Sequence, residues 1–204
     1  MIGIIDYGVG NIRAFINIYK KLSIPVKIVK EQEEFKGIEK LILPGVGSFD
    51  YAMERLQSSG MRSKLDELVI ENSIPILGIC VGMQMLAKTS DEGSLGGLGW
   101  IDASVKKFDT SKIPFDTHLP HMGWNDVNPI GTSKLFDGLQ DNSKFYFLHS
   151  YYFLPNDADM VIAATHYGIH FCCAVNHKNI YGVQFHPEKS HQYGIRLLSN
   201  FAKV

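Results

Sequence analysis

Cysteine is scarce in this chain: three among 204 residues, two of them the adjacent Cys172 and Cys173. That number excludes the small disulfide-stapled secreted class, because no framework of paired bridges can be drawn. No apolar run approaches the roughly 20 residues that a membrane-crossing helix needs. The opening Met1-Ile2-Gly3-Ile4-Ile5-Asp6 has neither a basic leader nor a long apolar stretch, so the expected compartment is the cytoplasm. Charge of either sign is not in excess. Lys and Arg number 20 against 21 Asp and Glu, a net of −1, so no basic field favours nucleic acid or an anionic membrane. Internal repeats, low-complexity stretches and linkers are also missing, and one domain over residues 1–204 is expected. Gly8-x-Gly10 lacks the third glycine of a dinucleotide fingerprint, with Arg13 in its place, and no phosphate-cradling G-x-x-x-x-G-K is present. His166, His170 and Cys172 share parity on one predicted strand, and His118 and His121 stand three apart. Nothing completes a recognisable ligand set, so neither a metal nor a cofactor is expected.

What is present is an ordinary globular composition, 45% hydrophobic and 20% charged, in a chain long enough for a substantial core. Strand-like apolar runs at residues 2–5, 25–29, 41–43 and 75–79 alternate with helix-like segments at 12–22, 49–56 and 62–71. A further helix is expected from the Cys80 turn to about residue 88. This βαβαβ order implies a parallel sheet covered on both faces. After Gly93 short strands crowd together at 100–108, 123–127, 145–149, 160–164, 172–176 and 180–185, and an amphipathic helix at 192–202 closes the chain. The predicted fold is α/β: three layers, an open and mostly parallel sheet with helices on both faces, and antiparallel strands added in the second half.

Leu77-Gly78-Ile79-Cys80-Val81-Gly82-Met83-Gln84 sets a cysteine between two glycines directly after an apolar strand. This is the cysteine counterpart of the G-x-S-x-G elbow, a turn too sharp for side chains beside the nucleophile. A thiol becomes a strong nucleophile only as thiolate, which an oriented histidine secures and the positive end of the following helix favours. Gln184-Phe185-His186-Pro187-Glu188 supplies an imidazole and a carboxylate two residues apart. On an extended segment the two point the same way, so Glu188 can orient His186. A core histidine with Glu188 capping the last helix is the plainer reading of that segment taken alone. Pro44-Gly45-Val46-Gly47 follows the third predicted strand, at the sheet end where ligands of open α/β sheets gather. Its glycines free the backbone to aim N–H groups at a developing oxyanion, with the Val81 amide as a second donor. Pro120-His121-Met122-Gly123-Trp124-Asn125 and residues 145–153 are dense in aromatics and methionine. Much of the second run reads as core, but Met122, Trp124 and Tyr146 beside Asn125 and His149 equally suit the rim of an interface or pocket.

Taken in order, Pro44–Gly47, Gly78–Gln84 and Gly182–Glu188 resemble the class I (triad) glutamine amidotransferases. Asp6-Tyr7-Gly8-Val9-Gly10-Asn11, Pro120–Asn125 and Phe147-Leu148-His149-Ser150-Tyr151-Tyr152 narrow the likeness to glutaminase subunits of imidazole glycerol phosphate synthase, nearly end to end. The resemblance implies a glutaminase in which Cys80 attacks the side-chain amide of L-glutamine, His186 moves the proton and Glu188 orients His186. It implies an oxyanion hole at Val46 and Val81, and glutamine held by Gly45, Gly47, Gln84, Ser150 and Tyr151. It further implies a heterodimer with a (β/α)₈-barrel cyclase of histidine biosynthesis, docked at or near Asn11, Met122, Trp124, Asn125, Tyr146 and Lys189. Ammonia supply for amidation of a nucleotide-linked sugar is the alternative within the same subfamily. A partner-independent γ-glutamyl hydrolase or peptidase is a more distant one, and a non-catalytic scaffold a third.

Overall fold

Three runs that expose almost nothing, IGII, ILGIC and IYGV, form the centre of the molecule. In the computed structural model, which describes residues 1–113, 119–140 and 143–204, they are β1 (Ile2–Ile5), β4 (Ile76–Cys80) and β12 (Ile180–Val183). With β2 (Val26–Val29) and β3 (Lys40–Gly45) they lie in the order β2-β1-β3-β4-β12, every neighbour parallel. Strands buried on both faces need no polar alternation, which is why they read as continuous apolar runs. The helices α1 (Ile12–Lys21), α2 (Phe49–Ser58), α3 (Arg62–Asp66) and α5 (His191–Phe201) supply the covering layers. α1 lies against α5, where the buried Tyr19 hydroxyl donates to the Leu198 carbonyl at 3.2 Å.

Beyond β12 the sheet continues antiparallel through β11 (Ile169–His177), β10 (Val161–Tyr167), β7 (His121–Pro129) and β8 (Ser143–His149). A side branch carries β9 (Tyr151–Pro155), which pairs with β11 and β6 (Ala103–Lys107), and β6 pairs with the two-residue β5 (Thr89–Ser90). The aromatic run 145–153 is therefore two strands parted at Ser150, and the turn between them faces the cavity described below.

One helix expectation holds with a change of winding and one is corrected. The segment 62–71 is helical throughout, an α-helix over Arg62–Asp66 that widens into a π-helix at Glu67–Glu71. The helix after Cys80, expected to reach residue 88, is the single turn α4 (Val81–Gln84). It stops because the next amides turn away from the i−4 pattern. Leu86 N–H donates to Met83 O at 3.0 Å and Ala87 N–H to Gln84 O at 3.1 Å, both one residue too near, and Lys88 N–H leaves for Ala103 O on β6 at 3.0 Å. Residues 97–101 then bind the free carbonyls, Leu98 N–H donating to Met85 O at 2.7 Å, Ile101 to Leu86 O at 3.0 Å and Gly99 to Ala87 O at 3.1 Å. A four-residue turn has little macrodipole. What it offers the nucleophile is the unpaired N–H groups of a first helical turn.

Candidate active site

The carboxyl ends of three adjacent parallel strands converge. Registers Gly45↔Cys80 and Ile79↔Val183 set the end of β3, the end of β4 and the exit of β12 side by side. Cys80 sits in the turn from β4 to α4 at φ 56°, ψ −113°, a left-handed backbone that costs a non-glycine residue about 1–3 kcal/mol. Such strain persists only where the surroundings enforce it. Here a Cβ on Gly82 would overlap the Leu43 carbonyl oxygen, and one on Gly45 would overlap the Gly82 nitrogen. Only with glycine at both positions can the end of β3 lie flat against the elbow.

His186 leaves β12 and is tied to β8, its N–H donating to the Tyr146 carbonyl at 2.8 Å. Residues 187–189 form a 3₁₀ turn rather than an extended segment, with Pro187 at its start. The turn, not strand alternation, brings Glu188 Oε1 to 2.9 Å from His186 Nδ1, both side chains almost fully buried. Burial pulls the His186 imidazolium down, but hydrogen bonds and charge interactions with Cys80 and Glu188 outweigh it and push the group up to about 10. A proton held on His186 beside Cys80 and Glu188 equips the ring as the acid–base group of the site. The thiol is also 3.9 Å from the Leu148 carbonyl and from the Gln184 amide nitrogen. Cys80 and His186 open into a cavity of about 310 Å³ whose wall includes Val46, Gly47, Val81, Glu92 and Ser150.

A family model described as glutamine amidotransferase class-I matches residues 3–204. The chain belongs to the class-I glutamine amidotransferases. Proteins named imidazole glycerol phosphate synthase subunit HisH are similar throughout. That of Bdellovibrio bacteriovorus is 53% identical and that of Leptospira borgpetersenii 54%, each over 204 residues and all of both chains. Among solved structures, a putative GMP synthase protein from Thermoplasma acidophilum is 26% identical with a TM-score of 0.74, over 99% of this chain and 92% of that one. A structure described as a glutamine amidotransferase reaches 0.76 at 22% identity, over 100% and 99%, which speaks for the fold alone.

Within this amidotransferase frame the sequence-derived residues divide. Val46, Gly47, Cys80, Val81, His149, Ser150, His186 and Lys189 line the cavity. Gln84 stands behind its wall, 2% exposed, its amide donating to the Tyr151 carbonyl and to Gln184 Oε1, both at 3.1 Å. Gly45 and Tyr151 are not in the lining either: Gly45 pairs with Cys80 in register, and the Tyr151 carbonyl accepts from Gln84. On the sheet's outer face β7 and β8 pair Met122 with Leu148 and Trp124 with Tyr146. Met122 is 65% and Trp124 46% exposed. Lys189 Nζ lies 5.4 Å from the Tyr146 ring centre, and His191 stacks on Trp124 at 5.2 Å. Asn125 does not join them. It has the opposite parity on β7, and its amide donates to His121 and to the His166 carbonyl. Asn11 is exposed at the start of α1, in the loop that meets Pro44.

Sequence reasoning passes over four residues. Glu92 reaches the cavity from the loop after β5, accepts the Phe49 N–H at 2.8 Å, and has its carboxyl pushed up chiefly by burial. In the string Asp91-Glu92-Gly93 it reads as a solvated turn. Gln184 is signalled only as a lone amide inside an apolar run. The buried Tyr7 hydroxyl donates to the Pro44 carbonyl at 2.6 Å, pinning the start of Pro44–Gly47. Buried Ser190 donates to the His186 carbonyl at 2.6 Å and accepts the Tyr146 N–H at 3.0 Å, locking the turn that carries the pair. Among the described residues no group of three His, Cys, Asp or Glu is placed to hold a metal. His166 and His170 face each other across the β10–β11 hairpin, and His118 lies outside the described residues.

Proposed function

We infer that this chain is the glutaminase subunit of imidazole glycerol phosphate synthase. It hydrolyses L-glutamine to glutamate and passes ammonia to a (β/α)₈-barrel cyclase subunit, which makes imidazole glycerol phosphate and aminoimidazole carboxamide ribonucleotide in histidine biosynthesis. The observation that carries the chemistry is Cys80, held on a strained elbow and opening with His186 into one cavity, His186 itself seated on Glu188. The observation that carries the pathway is identity above 50% along the whole chain with proteins named as that synthase's subunit HisH.

Cys80 Sγ attacks the side-chain amide carbon of glutamine, and the oxyanion is received by the backbone N–H groups of Val46 and Val81. His186 gives its proton to the departing nitrogen, which leaves as ammonia, and a γ-glutamyl thioester remains. His186 then takes a proton from water, whose oxygen attacks the thioester. Glutamate departs and the proton is shared again between His186 and Cys80. Glu188 holds the ring in the orientation both steps use. Glu92 is the carboxylate on the cavity wall suited to the α-ammonium of glutamine, whose charge would offset the burial that raises it. Ser150 and Gly47 line the same cavity. Ammonia released to water is protonated and lost as a nucleophile, so the exposed apolar strip of Met122, Trp124, Tyr146 and Leu148 is assigned to the cyclase, with Lys189 and Asn11 at its margin. The working compartment is the cytoplasm, in keeping with three unpaired thiols.

The test is glutamine-dependent cyclisation by the co-purified pair. Cys80→Ala is expected to lower it at least about 10³-fold, while added ammonium salt restores turnover. A stable pair that hydrolyses glutamine yet makes no imidazole product would move the ammonia to another acceptor, such as a nucleotide-linked sugar. Brisk glutamine hydrolysis by the isolated chain would contradict the dependence on a partner.

A further inference from the structure

Two buried histidines, His121 on β7 and His149 on β8, have no part in that chemistry. Directly opposite in register, they approach to 3.0 Å, His121 Nδ1 to His149 Nε2. One carbonyl fixes every proton in the group. His149 Nδ1 lies 2.7 Å from the Tyr151 carbonyl, which can only accept, so Nδ1 carries the hydrogen. Burial, then the neighbouring His121, push His149 down to about 3, and burial pushes His121 down to about 4, so both rings are neutral. His149 Nε2 is then an acceptor, and His121 Nδ1 must donate to it. His121 Nε2 in turn accepts from the Asn125 amide at 3.2 Å, whose nitrogen also donates to the His166 carbonyl at 2.9 Å. The amide oxygen of Asn125 accepts the Asp126 N–H at 2.8 Å, which sets the amide's orientation. The result is a one-way chain, Asn125 to His121 to His149 to the Tyr151 carbonyl. Aromatic walls hold it rigid. His121 is stacked between Phe147 at 4.9 Å and Tyr167 at 4.0 Å, and His149 packs on Phe108 and Phe171.

That carbonyl is a junction. It also accepts from Gln84, which donates to Gln184, the amide beside the Cys80 sulfur. We propose that His121 and His149 are positioning residues for glutamine, their directed hydrogen bonds holding the Ser150–Tyr151 turn in the conformation that closes the substrate cavity. This rests on the reading of the cavity as the glutamine site. The rings act without a change of charge, so they govern binding of glutamine rather than the proton transfers at Cys80.

The experiment compares His149→Leu with His149→Asn in the partner-bound protein, where an asparagine amide nitrogen stands near the place of Nδ1. Leucine is expected to raise KM for glutamine about tenfold with kcat held within about threefold, and asparagine to bring KM back within about threefold of wild type. Asn125→Leu, at the outer end, is expected to raise KM by about threefold. A fall in kcat at constant KM, failure of asparagine to restore KM, or an unchanged KM in Asn125→Leu would each overturn the proposal. Nitrogen-15 chemical shifts of the wild-type rings give a readout that does not depend on activity. Both are expected as the Nδ1–H tautomer, and Nε2–H on either would overturn the chain. A wild-type complex that does not hydrolyse glutamine would sink the functional reading while leaving the tautomer result to judge the relay.

Discussion

The parallel and antiparallel halves of the sheet hold functional groups by different means. In the parallel half, β1 to β4 with β12, the strands are apolar apart from Lys27 and Lys40, and the chemistry hangs from their carboxyl ends. Cys80 is held there by backbone sterics, a left-handed turn pressed against β3 with no room for side chains at Gly45 and Gly82. In the antiparallel half, polar groups are buried within the strands: His121, His149 and Thr165, each satisfied by a named partner. Backbone sterics place one atom sharply and tolerate no change of volume. Side-chain hydrogen bonds set direction, and they weaken by about 1–3 kcal/mol when one partner is lost.

Gly82→Ala attacks the first device and carries the largest expected effect. Its methyl would meet the Leu43 backbone, which cannot step aside without breaking β3, so destabilisation of about 3 kcal/mol or more is expected in urea unfolding. An unchanged midpoint would show the elbow to be soft.

Glu188→Gln tests the point where the halves meet, since His186 leaves a parallel strand and bonds to β8. A drop in kcat of about 10²-fold is expected, because the amide holds the ring with less charge. The pH dependence sharpens it. His186 is raised from 6.5 to about 10, so its contribution to stability is complete below pH 6.5 and is lost as pH climbs through about 10. Without the carboxylate the loss should begin at lower pH, read as an alkaline limb of the stability curve shifted downward. A limb that stays in place would assign the raised value to Cys80 alone.

Trp124→Ala concerns only the outer face of β7 and should have the smallest effect. Partner Kd is expected to rise about tenfold while the chain's own unfolding midpoint stays put. Loss of stability instead would make the Trp124–His191 stack a structural element of this chain.

The two halves also differ in how far they can be read. β1, β3, β4 and β12 announce themselves as apolar runs, and Cys80 between Gly78 and Gly82 announces a turn whose geometry leaves few alternatives. In the antiparallel half the strand expected at 145–149 ends where β8 ends, but β9 goes unannounced, because the aromatic run continues past Ser150 with nothing local to mark Tyr151–Pro155 as a second strand. Asn125 groups with Met122 and Trp124 by proximity in the chain, although strand alternation turns it to the other side. Glu92 carries no signal, since a carboxylate between Asp91 and Gly93 looks solvated until the loop folds over the cavity.

By itself the sequence determined the α/β class, the order of the parallel strands' apolar runs, and the thiol, imidazole and carboxylate that belong together. These follow from short-range sterics and from the burial of apolar side chains, both legible residue by residue. Tertiary structure alone decided the length of α4, which ends as Lys88 N–H leaves for the Ala103 carbonyl on β6, and the approach of Glu92 to the cavity. It alone decided the proton positions on His121 and His149. Those depend on register and on partners dozens of residues away, and a hydrogen bond's direction is settled only when both of its ends are in place.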